Sequence, residues 1–165
     1  MRLSEELAYV TLFTPIDKTA SALVSDAVDL SKFNSFTAFL LIGAVTGDSV
    51  LTVNGDSTSA LATALTTPIT FKYRVTQAAF KTAPTTQGSN ADQFGDATAV
   101  AVGGLTLTAA TYANKCLVIE IDPDTLGSTA HWVTFNFSSV GNPMLVAGVG
   151  IGRSRYAGHL IPTSL

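Results

Sequence analysis

The chain is predicted to be all-β, an antiparallel β-sandwich of jelly-roll-like layout with about eight strands and a long irregular loop in the middle. Three observations carry this. Several segments alternate apolar and polar residues with period two. Gly, Asn and Asp separate them as turn formers. Almost no stretch shows the spacing of an amphipathic helix. An immunoglobulin-like sandwich satisfies the same pattern, and sequence alone does not choose the strand order.

In chain order, the first strand signal is "LAYVTLF", from Leu7. The first residues, 1–19, also read as a candidate N-terminal arm. "FTAFLLIGAV" is apolar on both faces and bounded by turn residues, as a central strand should be; "TGDS" then predicts a hairpin into "VLTVNGD". "STSALATALTTP" allows a short helical turn, but its threonines and Pro68 oppose a long one. In "PITFKYRVTQ", Ile69, Phe71, Tyr73 and Val75 are predicted to face the core, with Thr70, Lys72, Arg74 and Thr76 outward. "FKTAPTTQGSNADQFGDAT" is rich in turn residues and reads as a long surface loop. "GGLTLTAAT" is a further strand. "KCLVIEIDP" places Leu117, Ile119 and Ile121 inward, and "AHWVTFNFSS" does the same for Val133, Phe135 and Phe137, leaving Trp132, Thr134, Asn136 and Ser138 outside. "PMLVAGVGI" is the last strand signal.

At 165 residues, with no repeat or linker, the chain is expected to form one domain, 1–165. That length buries about 70% of the surface an unfolded chain exposes. The single cysteine, Cys116, forms no intrachain disulfide and reads as a small apolar filler, which fits a reducing compartment. Charged residues make up 13% of the chain, against about 25% in typical domains, and the net charge is −3. So little repulsion leaves copies free to associate or dock. The pI near 5.1 and the lack of a basic stripe argue against nucleic acid as a partner. Mean hydropathy is +0.37, yet "AFLLIGAV" and "MLVAGVGIG" fall short of the roughly 20 residues of a spanning helix, so no membrane partner is expected. Two glutamates in "MRLSEELAYV" oppose an export signal.

Gly148, Gly150 and Gly152 followed by Arg153 and Arg155 resemble the start of a phosphate site. The dinucleotide fingerprint needs a helix next, and its third glycine would stand where Arg153 is; the Lys-Ser/Thr of a P-loop is missing too. The glycines read instead as bare strand positions alternating with Val149 and Ile151, over which a neighbour packs closely. Cys116, His131 and an aspartate have no signature spacing for a triad, and neither histidine has a partner at a metal-ligand interval. Glu120, Asp122 and Asp124 lack an EF-hand pattern and read as a charged strand end and turn. No catalytic residue, cofactor or metal is therefore expected.

Two features stand out. From Thr125 to Gly152 there is no Lys, Arg, Asp or Glu, so either a partner covers an uncharged face or both faces are buried within one subunit. Trp132, outward on this span, is a candidate contact anchor. The tail "RSRYAGHLIPTSL", 153–165, reads as a C-terminal arm with Arg153, Arg155, Tyr156 and His159 as candidate interface residues; the arginines fit equally as solvated charges.

The order "DLSKFNSFTAFLLIGAV", "SVLTVNGD", "CLVIEIDPDTL", "HWVTFNFSS" and "MLVAGVGIGRSRYAG" resembles small structural proteins encoded beside the major capsid protein in tailed bacteriophages. The likeness spans most of residues 26–157; "IEIDPDTL" and "GIGRSRY" are its most recognisable parts, and Ser57 to Tyr112 matches loosely. It implies a decoration (cement) protein that binds the outer surface of the phage head. The implied partners are the major capsid protein and further copies of itself, as a homotrimer. The implied location is the virion, after synthesis in the host cytoplasm, and no catalytic residues carry over. A head-completion or tail component remains an alternative, as does a receptor- or carbohydrate-binding sandwich, although one Trp and four Tyr are few for a glycan groove.

Overall fold

In the computed structural model, the described residues are 7–18, 21–58, 65–80, 93–138 and 143–155. Among them lie twelve strands: β1 (Leu7–Lys18), β2 (Leu23–Val24), β3 (Val28–Asp29), β4 (Phe33–Val45), β5 (Ser49–Asp56), β6 (Thr67–Pro68), β7 (Phe71–Val75), β8 (Thr98–Val100), β9 (Leu105–Leu107), β10 (Lys115–Ile121), β11 (Trp132–Phe137) and β12 (Met144–Ser154). Two 3-10 turns, η1 (Leu30–Lys32) and η2 (Pro123–Thr125), and one short helix, α1 (Ala109–Tyr112), complete the set.

Two antiparallel sheets pack face to face, as the all-β expectation requires. The first is ordered β1-β12-β4-β10-β7-β8; the second is β2-β11-β5-β6, with β3 also on β11 and β9 also on β5. Period-two alternation sets the core. Phe36, Ala38, Leu40 and Ile42 of β4 lie beside Leu117, Ile119 and Ile121 of β10, opposite Leu51 and Val53 of β5 and Val133, Phe135 and Phe137 of β11; all are buried. Phe36 meets Phe135 across the gap, with ring centroids 6.4 Å apart.

The structure corrects the sequence reading at several points. "TGDS" does not close a hairpin, because β4 already has β12 and β10 on its two edges, while β5 pairs with β11, β6 and β9. The turn carries the chain from one sheet to the other, so the apolar sets of β4 and β5 oppose each other across the core. The strand read in "GGLTLTAAT" stops at Leu107, and α1 takes up its end. The extra strands β2, β3, β6 and β8 are two or three residues long, too short to show a period. Ile69 is buried as expected but precedes β7. Residues 59–64, where the short helical turn was expected, and 81–92 of the long loop lie outside the described residues.

The three late glycines face the core. A Cβ on Gly148 would come within 2.6 Å of Leu40 Cδ2, and on Gly150 or Gly152 it would overlap the ring of Phe36 or Phe33. Gly150→Ala is expected to lower stability by about 1–3 kcal/mol, the usual cost of overpacking. Gly103→Ala, whose Cβ would meet nothing within 4 Å, should change it little. Urea unfolding of both variants checks this.

Tyr112, buried on α1, has its hydroxyl 3.2 Å from that of Tyr73. Burial first, then the hydrogen bond and proximity of Tyr73, raises its phenol above the usual 10.0. The folded chain thus keeps a proton that the unfolded chain has lost. This contribution is complete below pH 10.0 and is lost as pH rises beyond it. Stability measured by denaturation across alkaline pH should fall less steeply in Tyr112→Phe than in the parent.

Candidate functional site: an open apolar face

The alternation that sends Gly148, Gly150 and Gly152 inward sends Leu145, Ala147, Val149 and Ile151 outward. Rows of neighbours then cross the outer side of the first sheet. One runs Thr11–Val149–Phe39–Val118–Arg74, the next Tyr9–Ile151–Thr37–Glu120–Lys72, and a third Ala147–Leu41–Cys116. Through β1, β12 and β4 these rows hold no ionisable group except Tyr9. Leu41 is 51% exposed, Leu145 49% and Tyr9 52%, and Ile16 and Val149 are exposed as well. Charge enters at the margins. Asp17 of β1 lies across from Leu145; Lys72, Arg74 and Glu120 lie on the β7–β10 side, where Arg74 Nε is 3.4 Å from Glu120 Oε1, and Arg153 lies at the end of β12.

Two shallow depressions indent this face. One, of about 310 Å³, lies between Phe39, Leu41, Cys116, Ala147 and Val149; the other, of about 290 Å³, lies between Ile16, Leu41, Phe80 and Leu145. Their walls are mainly apolar, with Asn114 in the second. Burial pushes the Cys116 thiol up, favouring the neutral form, in which it lines the depression as an apolar group. The three strands β1, β12 and β4, at ~4.8 Å spacing and about seven residues in length, give the face a footprint of roughly 330 Å². That is the size of the largest apolar patch on a typical monomer, and such patches are often functional.

The second sheet presents a different exterior. Its β11 and β5 turn Trp132, Thr134, Asn136, Val50, Thr52, Asn54 and Asp56 outward. Trp132 is half-buried, with the His131 ring centroid 6.4 Å away. Thr134 is buried; among the described residues its hydroxyl and the Asn136 amide have no hydrogen-bond partner. The uncharged span Thr125–Gly152 therefore divides. The outward side of β11 is largely withdrawn from solvent, and that of β12 is open.

Of the remaining expected site residues, Arg153 and Arg155 lie at one end of the sandwich. Arg153 is exposed beside Leu7 and Ser35. Arg155 is pinned: its N–H donates to the Lys32 carbonyl at 2.9 Å, its Nε to the Phe33 carbonyl at 2.7 Å, and its guanidinium pairs with Asp124. Arg153 thus belongs to a strand and Arg155 to a fixed corner, while Tyr156 and His159 lie outside the described residues. Residues 7–18 of the N-terminal stretch form β1. Asp122 caps η2, accepting the Asp124 N–H at 3.0 Å, so the acidic cluster is divided between a cap and two ion pairs. Among the described residues no three His, Cys, Asp or Glu side chains gather as a metal site.

No protein-family model matches this chain, and no curated protein matches it. Among solved structures, it is similar to a chain in the structure of infectious bursal disease virus, Gt strain, at 11% identity and a TM-score of 0.27, and to one of the Gx strain at 10% and 0.18. Each likeness covers 96% of this chain and 43% of the other, so the chain spans less than half the length of those it matches. Superpositions this loose carry no argument about fold or function.

Because Leu41 and Leu145 are about half exposed on the outer face, Leu41→Thr with Leu145→Thr should shift stability by no more than about 1 kcal/mol in total. It should also shorten retention on a hydrophobic column. Leu40→Ala, one position away and facing inward, should cost about 2–5 kcal/mol. Thermal melts and chromatography of the two variants measure the contrast.

Proposed function

We propose that this protein is a structural subunit of a virion, a decoration or cement protein that binds the outer surface of a bacteriophage head and stabilises it. It acts by binding, without catalysis, as a homo-oligomer whose other partner is the major capsid protein. The observation that carries this reading is the open apolar face of the first sheet, on a chain with few charges to keep it in solution alone. The sequence resemblance to tailed-phage structural proteins supplies the kind of surface it meets.

The physics of attachment follows from the face. Covering a half-exposed leucine removes apolar area worth ~25 cal/mol per Å², about 1 kcal/mol per side chain. A few such groups give a weak single contact. Repetition over an oligomer and a lattice multiplies weak contacts into stable occupancy. The rigid sandwich loses little freedom on binding.

Undecorated heads incubated with the purified protein should bind it in copy numbers of hundreds, on the order set by repeated sites. Occupancy should persist in concentrated sodium chloride, which screens charge, and rise in sulfate, which strengthens apolar burial. Leu41→Glu should reduce occupancy at least tenfold. About a dozen copies per particle would point to a connector, and release by salt would remove the apolar face as the contact.

A further inference from the structure

We propose that the outward edge of β1, over Leu7–Thr11, pairs with the same segment of a second copy, antiparallel about a two-fold axis. The first sheet then runs without a break through two chains.

A strand at a sheet edge carries unpaired N–H and C=O groups, and what satisfies them is another extended strand. β1 bonds to β12 on one side, and no described segment pairs with its other side. The far edge of the sheet is β8, three residues long and a poor template. β1 is twelve residues long, about twice the common length.

Protection along β1 is uneven. Its second half carries register shifts between Thr11 and Phe13 and between Phe13 and Ile16, together with Pro15 and Asp17. Bulges, proline and charge are the devices by which proteins blunt an edge. The first half has none of them: Leu7 to Thr11 pair one for one with Arg153 to Val149, with no charge and no proline. Five residues make a strand of ordinary length.

The second copy fits this edge better than an arbitrary strand because the segment is self-complementary. A two-fold axis near Tyr9 sets Leu7 across from Thr11 of the other copy, and no like charges oppose each other. Tyr9, 52% exposed on the open face, meets its own counterpart there. The rows that end at Thr11 and Tyr9 continue into the second chain. The apolar footprint doubles to roughly 660 Å², approaching the ~800 Å² per partner of a standard protein interface, of which one copy covers less than half. A two-fold pair yields a dimer, so the homotrimer implied by the resemblance would need a different contact. The pairing does not depend on the head-binding reading, and its test uses the isolated protein, so either can fail alone.

The test places single cysteines at Leu7→Cys, Tyr9→Cys and Thr11→Cys in a Cys116→Ala background, oxidises each at high protein concentration and counts covalent dimers. Val102→Cys, at an exposed position away from β1, is the reference. Tyr9→Cys, which the axis sets against its own counterpart, should cross-link several-fold more than Val102→Cys, and more than Leu7→Cys or Thr11→Cys. Adding Leu7→Lys with Thr11→Lys, which under the pairing set like charge against like charge, should abolish that excess while the circular dichroism spectrum stays the same. Sedimentation should show a dimer for the parent and a monomer for the double lysine variant. The pairing is overturned if all three cysteine positions match the Val102→Cys background, or if the double lysine variant leaves mass and cross-linking unchanged. Repeated on heads, cross-links to the shell protein without cross-links between copies would overturn the choice of a second copy as occupant.

Discussion

The packing of Phe33 and Phe36 into the positions left bare by Gly152 and Gly150 is the constraint on which the rest depends. A strand's two faces are exchanged by a shift of one residue. With the rings seated over the glycines, β12 has one allowed parity. Leu145, Ala147, Val149 and Ile151 must then point away from the core, beside Phe39 and Leu41 of β4. The close internal fit and the open apolar exterior are thus two results of one choice of register.

The same fit closes the core without the exposed leucines of the open face. The core is complete without it, since the inner rows are buried on both sheets. A designer seeking only stability would fill the outer positions of β4 and β12 with charged or hydroxyl residues. This chain instead places its ionisable groups around the edge of the face. Arg74 sits with Glu120 and Arg155 with Asp124, so these charges partly neutralise one another. The face is left uncharged and walled by strands held in fixed register.

Much of this was legible in the sequence, and the misses have physical causes. The alternations at Leu117–Ile121 and Val133–Phe137 named inward residues that the structure buries, and the glycines of the last strand were read as close-packing positions. The double-faced apolarity of "FTAFLLIGAV" marked β4 as central, which it is within its sheet. Being flanked on both edges is not the same as being covered on both faces, and hydrophobic pattern does not separate the two. The stretch without charges left open either an uncharged face for a partner or two buried faces, and did not say which strand bears which: Trp132 drew attention to β11, whereas the open side belongs to β12. The turn after β4 was read as a hairpin because a turn that switches sheets uses the same residues. The pinning of Arg155 by Phe33 and Asp124 joins groups far apart in the chain, beyond any local signal.

The position of β12 in its sheet also governs the order in which the molecule can be completed. It lies between β1 and β4, yet ribosomes make it long after both. Until it arrives, a slot divides the sheet and the rows across it do not exist. Inserting a late strand between two early ones requires contacts between residues very distant in sequence, which slows folding. A nascent chain therefore lacks a finished apolar face, and that surface is completed only as the last strand closes the sheet.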